Sequence, residues 1–130
     1  MAIPTESVID ASAAVRGLLA GPGHPVWSHT EAGSAPELLL AETANALCGY
    51  VRSNRLTPSQ AGWALGVLID SNVSLEPLST LVVDALELAL RNRISAYDAC
   101  YLVLAERTEA VLVTADRRLA ALATRSELVA

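Results

Sequence analysis

Lysine is absent from this sequence, and all nine of its basic residues are arginines. A phosphate-binding loop of the GxxxxGK type requires a lysine side chain, and so do receiver domains and the phosphatases that place a lysine beside a nucleophilic aspartate. We therefore exclude these three classes. The net charge of −5 also argues against binding of nucleic acid through overall electrostatics, because neutralisation of phosphates supplies most of that affinity. A local basic patch remains compatible with this charge.

Cysteine, histidine and aromatic residues are scarce. Cys48 and Cys100 both fall in apolar helical patterns, so we expect two buried free thiols rather than a disulfide. His24 and His29 lie in a predicted loop without a third histidine or cysteine nearby, which favours solvent-exposed histidines over a zinc site. In the same loop we expect Trp27 to be a core or lid aromatic rather than a platform on which bases stack.

Long hydrophobic runs are absent as well. Hydrophobic residues make up 52% of the chain, yet no apolar run approaches the 18 or more residues that a membrane helix requires. No segment combines basic and apolar residues in the manner of a secretion signal. We therefore expect a cytoplasmic protein without membrane association. The length of 130 residues predicts one domain, residues 1–130, with a single core.

Strand and helix patterns alternate along the chain. Short β-branched runs at residues 7–9 and 109–114 predict buried strands, and residues 72–76 are a third, brief candidate. Helical patterns occupy residues 11–20, 36–53, 58–70, 80–91, 96–105 and 117–124. Residues 21–35 are predicted to be a loop, with at most a short strand or buried turn at 26–29. This alternation predicts an α/β fold with a parallel sheet.

Several residues predict where the helices begin and end. Pro36 suits the first position of the second helix, and Asn54 suits its end in a left-handed conformation. Residues 57–60 have the form of a capping box, in which a threonine and a glutamine satisfy each other's backbone groups. Ser79 and Ser95 are each predicted to cap the helix that follows.

Four carboxylates stand at informative places in this pattern. Asp10 ends the first strand, Asp116 follows the late strand, and Asp98 lies three residues after Ser95 in the first turn of a helix. In doubly wound sheets the active crevice lies outside the carboxyl ends of the strands, where the strand order reverses. If the two strands are neighbours there, Asp10, Asp98 and Asp116 meet, and Glu42 could be a fourth member.

Energetics indicate what such a cluster needs. Two carboxylates about 5 Å apart repel by about 3 kcal/mol at an effective dielectric near 20, whereas a capping aspartate contributes typically about 1 kcal/mol. A divalent cation would offset the repulsion, and all-oxygen ligands select a hard metal such as Mg²⁺ or Mn²⁺. Phosphodiester hydrolysis is then the natural reaction class. The spacing alone leaves the alternative open, in which the aspartates only cap helices and Glu42 is solvated.

At these residues the sequence resembles a known family. Its similarity to PIN-domain ribonucleases, especially the VapC-type toxins of toxin–antitoxin pairs, covers roughly residues 7–123. The four matching segments are SVIDASAAV (7–15), PELLLAETANAL (36–47), ISAYDACYLVLAER (94–107) and AVLVTADRRLAALA (110–123). This resemblance implies a three-layer α/β/α PIN-like fold whose central parallel sheet has four to five short strands. Only residues 126–130 remain for the usual closing edge strand, so we expect that strand to be short or absent.

The resemblance also implies an activity and a set of partners. It implies a Mg²⁺-dependent endoribonuclease, with Mn²⁺ as a substitute, that cleaves tRNA or rRNA through metal-activated water. The expected partners are a cognate antitoxin and a second copy of the chain. In such enzymes the matching acids are both the catalytic residues and the metal ligands, and two hydroxyls close to the site support them. Here the acids are Asp10, Glu42, Asp98 and Asp116, and the hydroxyls are those of Ser12 and Thr114.

Other residues suggest binding surfaces. Arg117 and Arg118 stand beside Asp116 and are candidates for contact with an RNA backbone. Arg16, Arg52, Arg55, Arg91 and Arg93 could extend this rim, although solvated helix faces are the alternative for each. The helices at residues 58–70 and 80–91 carry more Leu and Val than one small core needs, which favours a dimer interface or an antitoxin groove. Two other functions remain open: a related nuclease with a processing or DNA role, and a catalytically silent partner-binding module.

Overall fold

A computed structural model describes residues 6–130, which fold around a five-stranded parallel sheet. The strands are β1 (Ser7–Ile9), β2 (Gly33–Pro36), β3 (Ser74–Glu76), β4 (Val111–Thr114) and β5 (Ser126–Leu128). Their order is β3-β2-β1-β4-β5, and every neighbouring pair is parallel. The first strand, β1, therefore lies at the centre of the sheet. Strands β2 and β3 follow on one side of it, and β4 and β5 lie on the other side. The strand order reverses between β1 and β4.

Helices cover both faces of this sheet. They are α1 (Ala11–Ala20), α2 (Leu38–Arg52), α3 (Pro58–Asp70), α4 (Val82–Asn92), α5 (Ala96–Thr108) and α6 (Arg117–Leu122). Parallel crossovers are right-handed, so the helices between β1 and β3 lie on one face and those between β3 and β5 on the other. Contacts of α1 with α2 and α3, and of α5 with α4 and α6, agree with this arrangement. The prediction of a three-layer α/β/α fold is confirmed.

The central helix is α5. Its residues from Ala99 to Ala105 are all buried, against β1, β2 and β4 on one side and against α4 on another. A helix enclosed in this way needs no polar stripe, which is why the sequence shows an unbroken apolar run. Burying a leucine such as Leu102 contributes about 1.5–3 kcal/mol relative to leaving it exposed. The prediction of a helix that starts at residue 96 is confirmed.

Residues 33–36 were predicted incorrectly. They form strand β2, which pairs with β1 and β3, although Gly-Ser-Ala-Pro has little β propensity. Gly33 is required there because a Cβ atom would lie 2.5 Å from the carbonyl oxygen of His29. Pro36 ends this strand instead of opening the next helix, which begins at Leu38. Pairing on both sides decides this segment, and no local signal in the sequence does so.

The helix-end signals had mixed outcomes. The capping box is confirmed, since Thr57 Oγ1 accepts a hydrogen bond from the Gln60 N–H at 3.1 Å and Gln60 Oε1 accepts one from the Thr57 N–H at 2.9 Å. Asn54 has the predicted left-handed φ of 60°. The Ser79 cap is wrong, because residues 78–80 form a short 3₁₀ turn and α4 starts after Leu81 without a side-chain cap.

The cysteine and aromatic predictions were right in part. Both cysteines are free, as expected, and Cys100 is buried, but Cys48 is exposed on α2. The apolar pattern of α2 is broad, and it did not reveal which side of the helix faces solvent. Trp27 donates a hydrogen bond from Nε1 to the Gly21 carbonyl at 3.0 Å and lies against Gly17 of α1. It is a packed aromatic, as expected.

The loop histidines hold structure together, contrary to the expectation that both are solvent-exposed. His29 is partly buried, with Nδ1 2.8 Å from Ser7 Oγ and Nε2 2.7 Å from Glu127 Oε2. His24 accepts a hydrogen bond from the Val26 N–H at 3.1 Å. The two contacts of His29 therefore connect Ser7 of β1 to Glu127 of β5. The edge strand β5 does form, and it pairs with β4.

Substitution by valine at two buried threonines should have opposite effects on stability. Thr43 is fully buried, and its hydroxyl has no hydrogen-bond partner among residues 6–130. Thr43→Val keeps the shape and removes an unsatisfied group, so we expect the free energy of unfolding to rise by about 1 kcal/mol. Thr114→Val removes a hydroxyl that is bonded to Asp10 and to the backbone, and we expect a loss of about 1–3 kcal/mol.

Urea unfolding of the metal-free proteins measures both changes. Because the two substitutions are chemically identical, each serves as the control for the other. A loss of stability in Thr43→Val equal to that in Thr114→Val would contradict this account of the two hydroxyls.

Candidate active site

Asp10 is the most constrained of the four acids. It follows β1 and caps α1, with Oδ1 accepting hydrogen bonds from the Ala13 N–H at 2.9 Å and from Ser12 Oγ at 2.6 Å. The Thr114 hydroxyl donates to Oδ2. Asp10 is only 4% exposed, and this burial raises its pKa against the three hydrogen bonds that lower it, with the charge of Asp98 adding to the rise. A buried carboxylate with this many donors is held in one place.

The two hydroxyls join the ends of β1 and β4. Each hydroxyl has one hydrogen, and each directs it to Asp10. As acceptors, Ser12 Oγ receives the Ala115 N–H at 2.9 Å and Thr114 Oγ1 receives the Asp116 N–H at 3.0 Å. The backbone that follows β4 is thus bonded to the carboxylate that follows β1, across the point where the strand order reverses.

Asp116 lies between the end of β4 and the start of α6. It caps α6, and its Oδ1 accepts the N–H groups of Arg118 at 2.9 Å and Leu119 at 3.2 Å. Its side chain is exposed. Both capping bonds use Oδ1, so Oδ2 keeps acceptor capacity for another group.

Asp98 lies in the first turn of α5. Ser95 Oγ accepts a hydrogen bond from the Asp98 N–H at 3.0 Å, so Ser95 is the predicted helix cap. The pKa of Asp98 is raised, chiefly by burial and then by the charge of Asp116, while Ser95 and Arg118 lower it. A carboxylate in the first helical turn normally gains from the helix dipole. Here the neighbouring acid and the burial outweigh that gain.

Glu42 is turned inward from α2. Its Oε1 accepts a hydrogen bond from the Tyr101 hydroxyl at 2.7 Å. Burial raises the pKa of Glu42, the hydrogen bond from Tyr101 lowers it, and the charges of Asp98 and Asp10 raise it further. The alternative of a solvated glutamate is therefore wrong. Burial and the bond to Glu42 also raise the pKa of Tyr101 far above its ordinary value.

Tyr101 is the site residue that reasoning from the sequence missed. It stands three residues after Asp98 on the same helix, a spacing that places side chains on one helical face. That spacing was a usable signal, but the surrounding apolar run made the tyrosine look like part of the core alone.

The four acids thus come from four elements to one end of the sheet. Burial is the main cause that raises the pKa of Asp10, Glu42 and Asp98. The charge of Asp98 adds to the rise for Asp10 and Glu42, Asp10 adds to it for Glu42, and Asp116 adds to it for Asp98. The donor set is all oxygen and strongly negative, which fits a hard cation such as Mg²⁺ or Mn²⁺. As they stand, however, no three His, Cys, Asp or Glu side chains of residues 6–130 are grouped closely enough to hold a metal ion.

Arg117 and Arg118 open α6 directly after Asp116 at this end of the sheet. Arg118 Nη2 donates to the Arg93 carbonyl at 2.8 Å, which ties α6 to the turn before α5. Arg117 beside it is exposed. Arg107 is paired with Asp84 at 2.6 Å on α4 and is not part of this rim. Both arginines of the predicted pair therefore lie next to Asp116. Arg118 also stabilises the fold through its bond to the Arg93 carbonyl.

The chain matches known proteins over most of its length. The PIN domain profile matches residues 7–124. Ribonuclease VapC1 of Mycobacterium tuberculosis is 35% identical over 121 residues, which cover 89% of this chain and 90% of the relative. The chain belongs to the PIN-domain family of VapC ribonucleases.

Solved structures agree with this membership. PAE2754 from Pyrobaculum aerophilum has a TM-score of 0.80 and 29% identity, covering 96% of this chain and 91% of that one. Two Mycobacterium tuberculosis structures share the fold at lower identity. VapC20, described as a sarcin–ricin loop cleaving toxin, has a TM-score of 0.65, 20% identity and coverage of 88% and 93%. VapBC-5, from the VapBC family of toxin–antitoxin systems, has a TM-score of 0.58 and 16% identity, covering 97% of this chain and 98% of that one.

For this PIN domain we predict a pH-dependent penalty from the acid cluster. The pKa of Asp98 is raised above its ordinary value of 3.8, so its ionised form is disfavoured in the fold. The resulting destabilisation is fully present above the raised pKa and disappears as the pH falls below 3.8. The metal-free Asp98→Asn variant should therefore have a higher Tm than the parent protein at pH 7, and the difference should shrink towards pH 4.

Thermal melts in a chelating buffer at several pH values measure this difference. Glu87→Gln is the matched control, because it removes one charge from an exposed position on α4 outside the cluster, and its Tm difference should stay small at every pH. An Asp98→Asn variant less stable than the parent at pH 7 would mean that helix-dipole stabilisation outweighs the repulsion.

Proposed function

We propose that this protein is a Mg²⁺-dependent endoribonuclease that acts as the toxin of a type II toxin–antitoxin pair. The observation that carries the proposal is the convergence of Asp10, Glu42 and Asp98 where the strand order reverses, with burial and at least one neighbouring acid raising the pKa of each. Such a cluster destabilises the metal-free fold, and in a nuclease it can bind the divalent cation that the reaction needs. Membership of the VapC ribonuclease family supports the same reaction.

The residues that would hold the metal are Asp10, Glu42, Asp98 and Asp116. When bound, Mg²⁺ or its substitute Mn²⁺ would offset the carboxylate charge, activate water and stabilise the negative charge that develops on the phosphodiester. The chain's own part is to keep the ligands in place. Ser12, Ala13 and Thr114 hold Asp10, and the cap of α6 holds Asp116 through Oδ1 alone.

The proposed substrate is structured RNA of the tRNA or rRNA class. Exposed Arg117 and the nearby Arg118 could contact phosphates beside the acids, a role that positions the backbone without reading its sequence. The family resemblance and the description of VapC20 as a toxin that cleaves the sarcin–ricin loop support this class. We place the activity in the cytoplasm, where such RNA is found. No helix of residues 6–130 has the length and apolar character to cross a membrane.

The proposed partners are a cognate antitoxin and a second copy of this chain. The described part of the chain leaves large apolar side chains in solvent on two helices. On α4 these are Val83, 77% exposed, and Leu90, 74% exposed, and on α3 the main one is Trp63, 75% exposed. Exposed apolar patches of this kind are typical of protein interfaces. The relation to VapBC-5, a toxin–antitoxin structure, supports the antitoxin.

RNA cleavage tests the activity. The purified protein, freed of any partner, should cut total RNA in the presence of Mg²⁺ or Mn²⁺ and not in the presence of a chelator. Asp98→Asn should reduce the cleavage rate at least 100-fold, in line with the usual cost of losing an electrostatic contributor to the transition state. Glu106→Gln is the matched control, since it removes a charge from an exposed position later on α5 and should leave the rate unchanged.

Each other outcome points to a different function. Cleavage that persists in Asp98→Asn would show that the acids are not the site. Cleavage of DNA alone would favour a nuclease with a DNA role, and no cleavage of any nucleic acid would favour a partner-binding module. Growth arrest on expression, relieved by co-expression of a small neighbouring gene, would identify a toxin.

The α4 surface allows a test of the dimer. The protein alone should have the mass of a dimer in light scattering at micromolar concentration, and the Val83→Arg/Leu90→Arg double variant should have the mass of a monomer. Leu122→Arg, a similar change at an exposed position of α6, should leave the mass unchanged. A monomeric parent protein would contradict the proposed homodimer.

A further inference from the structure

Tyr101 combines complete burial with a single polar contact. Its side chain is 1% exposed, so its ring packs within the core while its hydroxyl reaches Glu42 Oε1 at 2.7 Å. A buried tyrosine hydroxyl requires a hydrogen-bond partner. This one uses a carboxylate from another helix, 59 residues away in the chain, and not a backbone carbonyl close at hand.

The other acids show what such a contact does. Asp10 is held by two hydroxyls and one backbone N–H, and Asp116 is held by two backbone N–H groups. Glu42 has a longer side chain with more rotatable bonds, and it lies inside a helix, where no free N–H group is available to hold it. The Tyr101 hydroxyl supplies the missing support. It occupies Oε1 and leaves Oε2 as an acceptor for another group.

We propose that Tyr101 is a positioning residue that holds the Glu42 carboxylate ready for the divalent cation. This inference rests on the proposed metal-dependent function. Tyr101 acts through Glu42 and touches neither the cation nor the RNA. Loss of an outer partner of this kind typically weakens metal affinity about 10-fold to 100-fold.

Calorimetry with Mn²⁺ alone tests the inference without relying on activity. Tyr101→Phe keeps the buried ring and removes the hydroxyl, and its Kd for Mn²⁺ should rise at least about 10-fold. Tyr97→Phe is the matched control, because Tyr97 lies one turn earlier on α5 and is 62% exposed. Its Kd should equal that of the parent protein. In RNA cleavage the half-saturating Mn²⁺ concentration should rise for Tyr101→Phe, while the rate at saturating Mn²⁺ changes little.

A second variant separates positioning from a loss of folding. Glu42→Asp keeps the charge but withdraws the carboxylate from Tyr101 by one methylene, so it should weaken Mn²⁺ binding by a similar factor. Adding Tyr101→Phe to Glu42→Asp should then change the Kd by less than about twofold, because the two substitutions remove one contact. This comparison is made well below the melting temperature of each variant.

Three results would overturn the inference in different ways. If the parent protein binds Mn²⁺ and Tyr101→Phe binds it equally well, Tyr101 has no positioning role and the proposed function stands. If the parent protein binds no Mn²⁺, the metal site is wrong, and the role of Tyr101 is wrong with it. Equal weakening by Tyr101→Phe in the parent and Glu42→Asp backgrounds would also overturn it, since Tyr101 would then act independently of Glu42.

Discussion

The buried carboxylate of Asp10 is the interaction on which the rest of the site depends. Through Ser12 and Thr114 it connects the end of β1 to the backbone that follows β4, and through Ala13 it starts α1. An ionised group buried without partners would be strongly destabilising, whereas three donors make this one tolerable. The same bonds that make burial possible fix the geometry at the point where the strand order reverses.

The acids around Asp10 have two roles that oppose each other energetically. As helix caps and first-turn residues, Asp10, Asp116 and Asp98 stabilise α1, α6 and α5. At one end of the sheet, burial raises the pKa of Asp10 and Asp98, the charge of Asp98 adds to the rise for Asp10, and that of Asp116 adds to it for Asp98, which destabilises the metal-free fold. A bound cation would remove the second effect without disturbing the first. Stability and chemistry can therefore share the same residues, whereas Glu42, held by Tyr101, is an acid of this cluster that caps no helix.

Local signals explain why much of the fold was predictable. The start of α1 at Asp10, the capping box at Thr57 and Gln60, and the cap at Ser95 depend on hydrogen bonds within a few residues of chain. Strand β2 could not be predicted in this way, because Gly33–Pro36 is a strand only through pairing with β1 and β3. The exposure of Cys48 was missed for a related reason. A helix of small and apolar residues does not show by itself which side another helix will cover.

By itself, the sequence determined the α/β class, the α5 helix and the family resemblance, and it named the four candidate acids. These properties reside in periodicity, in caps and in motifs that are contiguous in the chain. Only the tertiary structure decided that Glu42 turns inward to Tyr101 and that the Thr114 hydroxyl donates to Asp10. It also decided that His29 joins Ser7 to Glu127. Each of these contacts joins side chains from different elements, and their distances follow from how the layers pack on the sheet, which no local pattern encodes.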